Sequence, residues 1–166
     1  MSDATAPCSQ CGVVHDLDDM ELSFFRPDAV IALPDDEREQ DVKESNDLCS
    51  IRSERFFVRA TLPLPVHERD ISYRLGLWVE TSEATFNRIR ELWRDDNQAD
   101  EKPFEVTLAN SIRALPATCG LPVLLQLTGP KTRPDIIVPM SRHPLCDEQR
   151  TGITAHRANQ YTTSMS

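Results

Sequence analysis

Phe56-Phe57-Val58-Arg59-Ala60-Thr61-Leu62-Pro63-Leu64-Pro65-Val66 alternates with a period of two. Phe56, Val58, Ala60, Leu62, Leu64 and Val66 are apolar on one parity, and Phe57, Arg59, Thr61, Pro63 and Pro65 hold the other. Successive side chains of a strand point to opposite faces, so this pattern predicts a strand with one face in a core. Pro63 and Pro65 lack an amide donor, which places the far end of that strand at a sheet edge. Residues 66–72 are polar and read as a hairpin loop. Tyr73, Leu75, Leu77 and Val79 then alternate with Arg74, Gly76, Trp78 and Glu80, giving a second strand antiparallel to the first.

Helix signals follow. Ser82 or Thr81 can cap a helix to about Arg94, with Phe86, Ile89, Leu92 and Trp93 on one face. Further strands are expected over 104–112, 122–128 and 135–139, the last two joined by a Gly129-Pro130 turn. Pro144 suits the first turn of a short helix ended by Gly152, and Thr154 can cap a last one. Upstream, Leu22–Phe25 reads as a short strand and 28–33 as a helical turn. Pro34 followed by Asp35, Asp36 and Glu37 starts a short exposed helix, because acids suit the positive end of the dipole. Residues 46–51 read as one more strand. The expected fold is α+β: a single domain with a mostly antiparallel sheet of five or six strands, packed helices and an N-terminal zinc knuckle. Its expected organisation is a disordered N-terminus over 1–7, one domain over 8–161 and a disordered tail over 162–166.

The chain has 166 residues, enough for one domain to bury about two thirds of its unfolded surface without staples. Its formal charge is -9. Phosphate polymers and anionic membranes bind through Lys and Arg, so this balance argues against nucleic acid and membrane surfaces and favours a basic protein partner. An odd cysteine count, 5, fits a reduced compartment, and neither an apolar leader nor a membrane-length apolar run is present. The expected location is cytoplasmic.

Cys8-Ser9-Gln10-Cys11-Gly12, with His15 behind it, has the two-residue spacing of a metal-binding turn. Structural zinc takes four tetrahedral ligands, usually Cys and His. Cys8 and Cys11 supply two, and His15 and Cys49 are the preferred others, with His143 and Cys146 as rivals. The face opposite the core parity carries Phe57, Arg59, Trp78 and Glu80, which would form a partner or ligand surface. The same face covered by a helix, with Arg59 paired to Glu80, would be purely structural. His143 with Glu148 is a candidate acid/base pair. Phosphate-binding loops, nucleophile elbows, zinc-protease motifs and dinucleotide fingerprints are absent from the sequence.

Several segments in order resemble one uncharacterised bacterial family known only as a domain of unknown function. They are Cys8-x-x-Cys11-Gly12-x-x-His15, Glu37-Arg38-Glu39, Asn46-Asp47-Leu48-Cys49, Phe56-Phe57-Val58-Arg59, Gly76-Leu77-Trp78-Val79 and His143-Pro144-Leu145-x-x-x-Gln149-x-x-Gly152-Ile153. The resemblance spans about 8–158. It implies a compact bacterial cytoplasmic domain, cysteines compatible with metal, and no established activity. The functional expectation is a small acidic binding protein with a structural zinc site, of which immunity to a toxin is one version. The alternative is a metal-dependent or His-dependent hydrolase acting on a small molecule.

Overall fold

The computed structural model describes residues 21–164 and, as backbone alone, the strands β1 (Thr5–Pro7) and β2 (Val14–Asp16), which pair antiparallel. Two short helices follow, α1 (Asp28–Ile31) and α2 (Asp35–Asp41). Then come β3 (Val42–Glu44), β4 (Leu48–Ile51), β5 (Arg55–Leu64), β6 (Tyr73–Thr81) and α3 (Glu83–Leu92). The rest is β7 (Phe104–Leu108), β8 (Pro122–Gln126), β9 (Asp135–Ile137), α4 (Pro144–Thr151) and α5 (Ala155–Thr163). α5 runs past Thr162, where the sequence placed the start of a tail.

β3 to β9 form one sheet in chain order, and β9 returns to pair with β5. Five strands, β5 to β9, therefore close into a barrel. Neighbours along this meander are antiparallel, so strand direction alternates. With an odd number of strands the first and fifth run the same way, and the closing pair must be parallel. The only register pair there is Thr61 opposite Asp135. Alternation in a sequence reports which face is buried, not whether a sheet closes; the expected mostly antiparallel sheet of five or six strands is a seven-stranded one whose last five strands close into a barrel.

The apolar parity of β5 fills the interior as expected. Val58, Ala60, Leu62 and Leu64 have no exposed surface, and they join Leu75, Leu77, Val106, Leu125 and Ile136 in the main core. Each large side chain buried there contributes about 1.5–3 kcal/mol. Helix α3 packs on β5 through Phe86, Ile89 and Leu92, and Ser82 Oγ accepts from Thr85 N to cap it. Pro144 begins α4, and Gly152, at φ 89°, ends it in a backbone conformation that glycine adopts cheaply.

Pro63 does not lie on an edge strand, because β5 is flanked by β6 on one side and by β4 and then β9 on the other. Arg59 N donates to Asp47 O (2.9 Å) and Thr61 N to Pro134 O (3.0 Å), so the odd-numbered amides point away from β6. The missing amide of Pro63 falls on that side, just past the β9 pair. A side chain spans the gap: Gln149 Oε1 accepts from Val138 N (2.7 Å), and its Nε2 donates to Ile136 O (2.8 Å) and, at 3.5 Å, toward Pro63 O. Gln149 continues the barrel seam where the strands stop.

Candidate functional site

The outer face of β5 and β6 is where the sequence placed a binding surface. Phe57 and Trp78 lie there fully buried, in a second small core with Val30, Cys49, Ile51 and Ala109. The cover is the segment leading through α1. Ser23 bridges Gly76, with Gly76 N donating to Leu22 O and Phe24 N to Gly76 O, both 2.9 Å. A Cβ at Gly76 would lie 2.4 Å from Ser23 Oγ, so this crossing needs glycine. Trp78 Nε1 donates to Phe24 O (3.1 Å). Buried Asn110 accepts from Trp78 N (2.8 Å) and donates to Arg26 O (2.9 Å) and Asp28 Oδ1 (3.0 Å), which pins α1.

Glu80 pairs with Arg55, not Arg59, through two bonds of 2.9 and 2.8 Å. Arg59 is 8% exposed. Its guanidinium donates to Asn46 O (3.2 Å) and Ser23 Oγ (3.4 Å) and sits over the rings of Phe25 and Trp78. Its buried Nε has no hydrogen-bond partner among the described residues. Burial and then the neighbouring Arg133 hold its pKa below the usual arginine value.

Of the expected metal ligands, Cys8 and Cys11 lie outside the described residues, and His15 is placed as backbone in β2, opposite Ala6. Cys49 is 1% exposed in the second core, where burial first, then Glu44, push its thiol up to about 12. Among the described residues no group of three or more His, Cys, Asp or Glu is placed to hold an ion. Of the rivals, Cys146 is buried in the main core. His143 caps α4: Nδ1 accepts from Leu145 N (3.1 Å), and Nε2 then carries the proton toward Pro116 O (3.1 Å). Glu148 accepts from Tyr161 Oη and from Arg157 Nε (2.7 Å), which ties α4 to α5. His143 and Glu148 are thus both engaged in holding helices.

Two concave regions among the described residues bear on function. The first, of about 750 Å³, lies at the barrel seam, where Thr61 and Asp135 meet the loop between β8 and β9. Its cations are Arg74, Lys131 and Arg133 and its carboxylates Asp47 and Asp135. Arg74 Nη1 donates to Thr61 Oγ1 (3.2 Å) and Asp135 Oδ1 (3.1 Å), and Arg133 Nε to Asp47 Oδ1 (2.9 Å). Trp93, half-buried, and Thr128 complete the wall. The loop is braced: Thr128 Oγ1 donates to Arg133 O (3.0 Å) and meets Thr132 Oγ1 at 2.6 Å, while Gly129 N donates to Gln98 Oε1 (3.2 Å). The sequence reading finds only a Gly129-Pro130 turn here. The visible signal is Lys131 and Arg133 between prolines in an acidic chain that has only 3 lysines against 15 arginines.

The second region, of about 490 Å³, is bordered by Phe25 and Ile31, which are 79% and 56% exposed. Arg26 and Arg113 line it too, and α2, next along the chain, buries none of its residues and exposes Asp35, Asp36 and Glu39. Arg38 turns back instead, donating to Val30 O, Ile31 O and Leu33 O at 3.2, 3.1 and 2.8 Å and capping the end of α1. No helix among the described residues is long and apolar enough to cross a membrane.

Comparison with curated proteins and with solved structures gives no match. Residues 7–153 match the family described as "Uncharacterized protein conserved in bacteria (DUF2199)", a span that takes in every strand of the barrel, and the chain belongs to that bacterial family.

Proposed function

We propose that the protein is a non-catalytic binding protein that engages a basic protein partner through the face made by Phe25, Ile31 and α2. The observation that carries this reading is the pairing of two large exposed apolar side chains with an acidic helix that buries nothing of its own. Exposed apolar groups rimmed by charge mark contact surfaces, and a chain of net charge -9 steers basic partners toward it. Immunity to a basic toxin is one form of this activity. The hydrolase alternative draws less support, because His143 and Glu148 hold helix ends together.

A structural zinc ion at Cys8 and Cys11 remains part of the proposal. The pairing of Pro7 with Val14 brings the chain together on either side of that motif, as a two-cysteine turn requires. His15 and Cys49 complete the proposed ligand set, with His143 and Cys146 as rivals.

The test is affinity capture from a bacterial lysate with the native chain and with Phe25→Asp/Ile31→Asp, after the two are shown to melt alike. A basic protein retained by the first, released by moderate salt and lost from the second supports the reading. Equal capture by both overturns it. For zinc, native mass spectrometry of Cys8→Ser/Cys11→Ser should show loss of one bound ion and a lower melting temperature. An unchanged melt in the presence of a chelator removes the ion from the account.

A further inference from the structure

We infer that the cleft at the barrel seam is a binding site for a small phosphate-bearing molecule, with Lys131, Arg133 and Arg74 as its anion ligands. It does not depend on the protein-binding face, which lies on different residues.

The cleft volume, about 750 Å³, falls within the ~300–1,000 Å³ of small-molecule sites. Its charge is opposite in sign to that of the molecule: three cations against two carboxylates, inside a chain of net charge -9. Arg59, buried behind the cleft, lies close enough to interact with both Arg133 and Asp47. A surface evolved only for solubility in an acidic protein has no reason to gather cations at the one place where the barrel closes.

The two ion pairs orient the guanidinium groups without using them up. Arg74 spends Nη1 on Thr61 and Asp135, and Arg133 spends Nε on Asp47. The other donors of both forks have no partner among the described residues, and the side chains are 48% and 42% exposed. Lys131 is exposed and makes no hydrogen bond or ion pair there. Arginine forks match two phosphate oxygens at once, and a lysine adds a point charge. Thr128 and Thr132 line the same wall with their hydroxyl protons spent on Arg133 O and on each other, and the Trp93 ring offers an apolar surface for the rest of the ligand.

A dianion uses these donors best, which selects a phosphate monoester over a carboxylate or a halide. The site also suits a small ligand better than a polymer. A nucleic acid would bring its phosphates against the acidic remainder of the surface.

The experiment is two-dimensional NMR titration of the full chain with inorganic phosphate and with adenosine monophosphate, at constant ionic strength held with sodium chloride. Saturable shifts confined to Thr61, Thr128 and residues 131–133, weakening as pH falls below the second phosphate ionisation near ~6, are expected. Lys131→Glu should weaken binding by at least about tenfold. The folded state does not use Lys131, so this variant should melt like the parent. Tighter binding of the nucleotide than of phosphate would assign Trp93 to the organic half. Shifts that track chloride equally, no saturation by about 20 mM, or undiminished binding in Lys131→Glu would overturn the assignment. Ile31→Asp, on the protein-binding face, should bind phosphate normally.

Discussion

Gly76→Ala is the most discriminating perturbation of this fold. The new Cβ would stand 2.4 Å from Ser23 Oγ, 2.9 Å from Ser23 Cβ and 3.2 Å from Ser23 Cα. The hydroxyl can rotate away, but the two carbons cannot, so the crossing segment must lift. Two backbone bonds hold it there, Gly76 N to Leu22 O and Phe24 N to Gly76 O. They contribute about 1 kcal/mol each. Lifting also exposes part of Leu22, now 3% exposed, whose full burial is worth about 2 kcal/mol. The ceiling is thus about 4 kcal/mol, and a segment that shifts without detaching should cost about 1–3 kcal/mol. The assay is urea denaturation followed by Trp fluorescence, for Gly76→Ala, Ser23→Gly and the double variant. Ser23→Gly removes the two closest atoms and leaves only the backbone carbon, 3.2 Å away, so the double variant should recover more than half the loss. Strictly additive losses would show that the crossing is not fixed by this close approach, and the account of how Phe57 and Trp78 are covered would fail.

Trp78→Ala should cost about 3–5 kcal/mol, because a ring 1% exposed leaves a cavity and an unmet Phe24 carbonyl; equal melting temperatures would place the ring at a surface after all. Gln149→Ala should cost about 1–3 kcal/mol by stranding the Val138 amide and the Ile136 carbonyl, with faster exchange of the Thr61 amide, and unchanged exchange there would deny it a role in the seam. The folded chain holds the Cys49 thiol protonated, so its stability contribution is complete below the ordinary value of 9.0 and disappears as pH rises toward about 12. Tyr161 is raised as well, by burial first and then by Glu148, and adds to the alkaline loss. Melting temperature should therefore fall above pH 9.0, less steeply in Cys49→Ala, and a parallel fall in the two proteins would refute the cysteine's part.

The two long strands were legible because one buried face leaves a period-two trace in the residues themselves. Ser82, Pro144, Gly152 and Thr154 were legible as helix ends because caps act over three or four residues. Barrel closure was not legible. It rests on one backbone pair, Thr61 with Asp135, and on an amide from a helix many residues later. That the face of Phe57 and Trp78 could be covered was legible, but not by what: the cover arrives from residues 22–33, and only Gly76 hints at a close approach. The pairing of Arg59 was not legible either. Its expected partner Glu80 stands opposite Phe57 and is taken by Arg55, two residues to the other side. The seam cleft was missed because its cations come from β6 and the loop before β9, which share no local motif.

A latch supplied by Gln149 has an implication for biosynthesis. The barrel strands leave the ribosome before the residue that secures them, so the nascent chain passes through a stage with β9 and the far half of β5, beyond β4, as raw edges. Such edges are templates for pairing with other chains. A product terminated before α4 should therefore accumulate as aggregate rather than as a smaller soluble domain, and the last helices act as the chain's own guard against that fate.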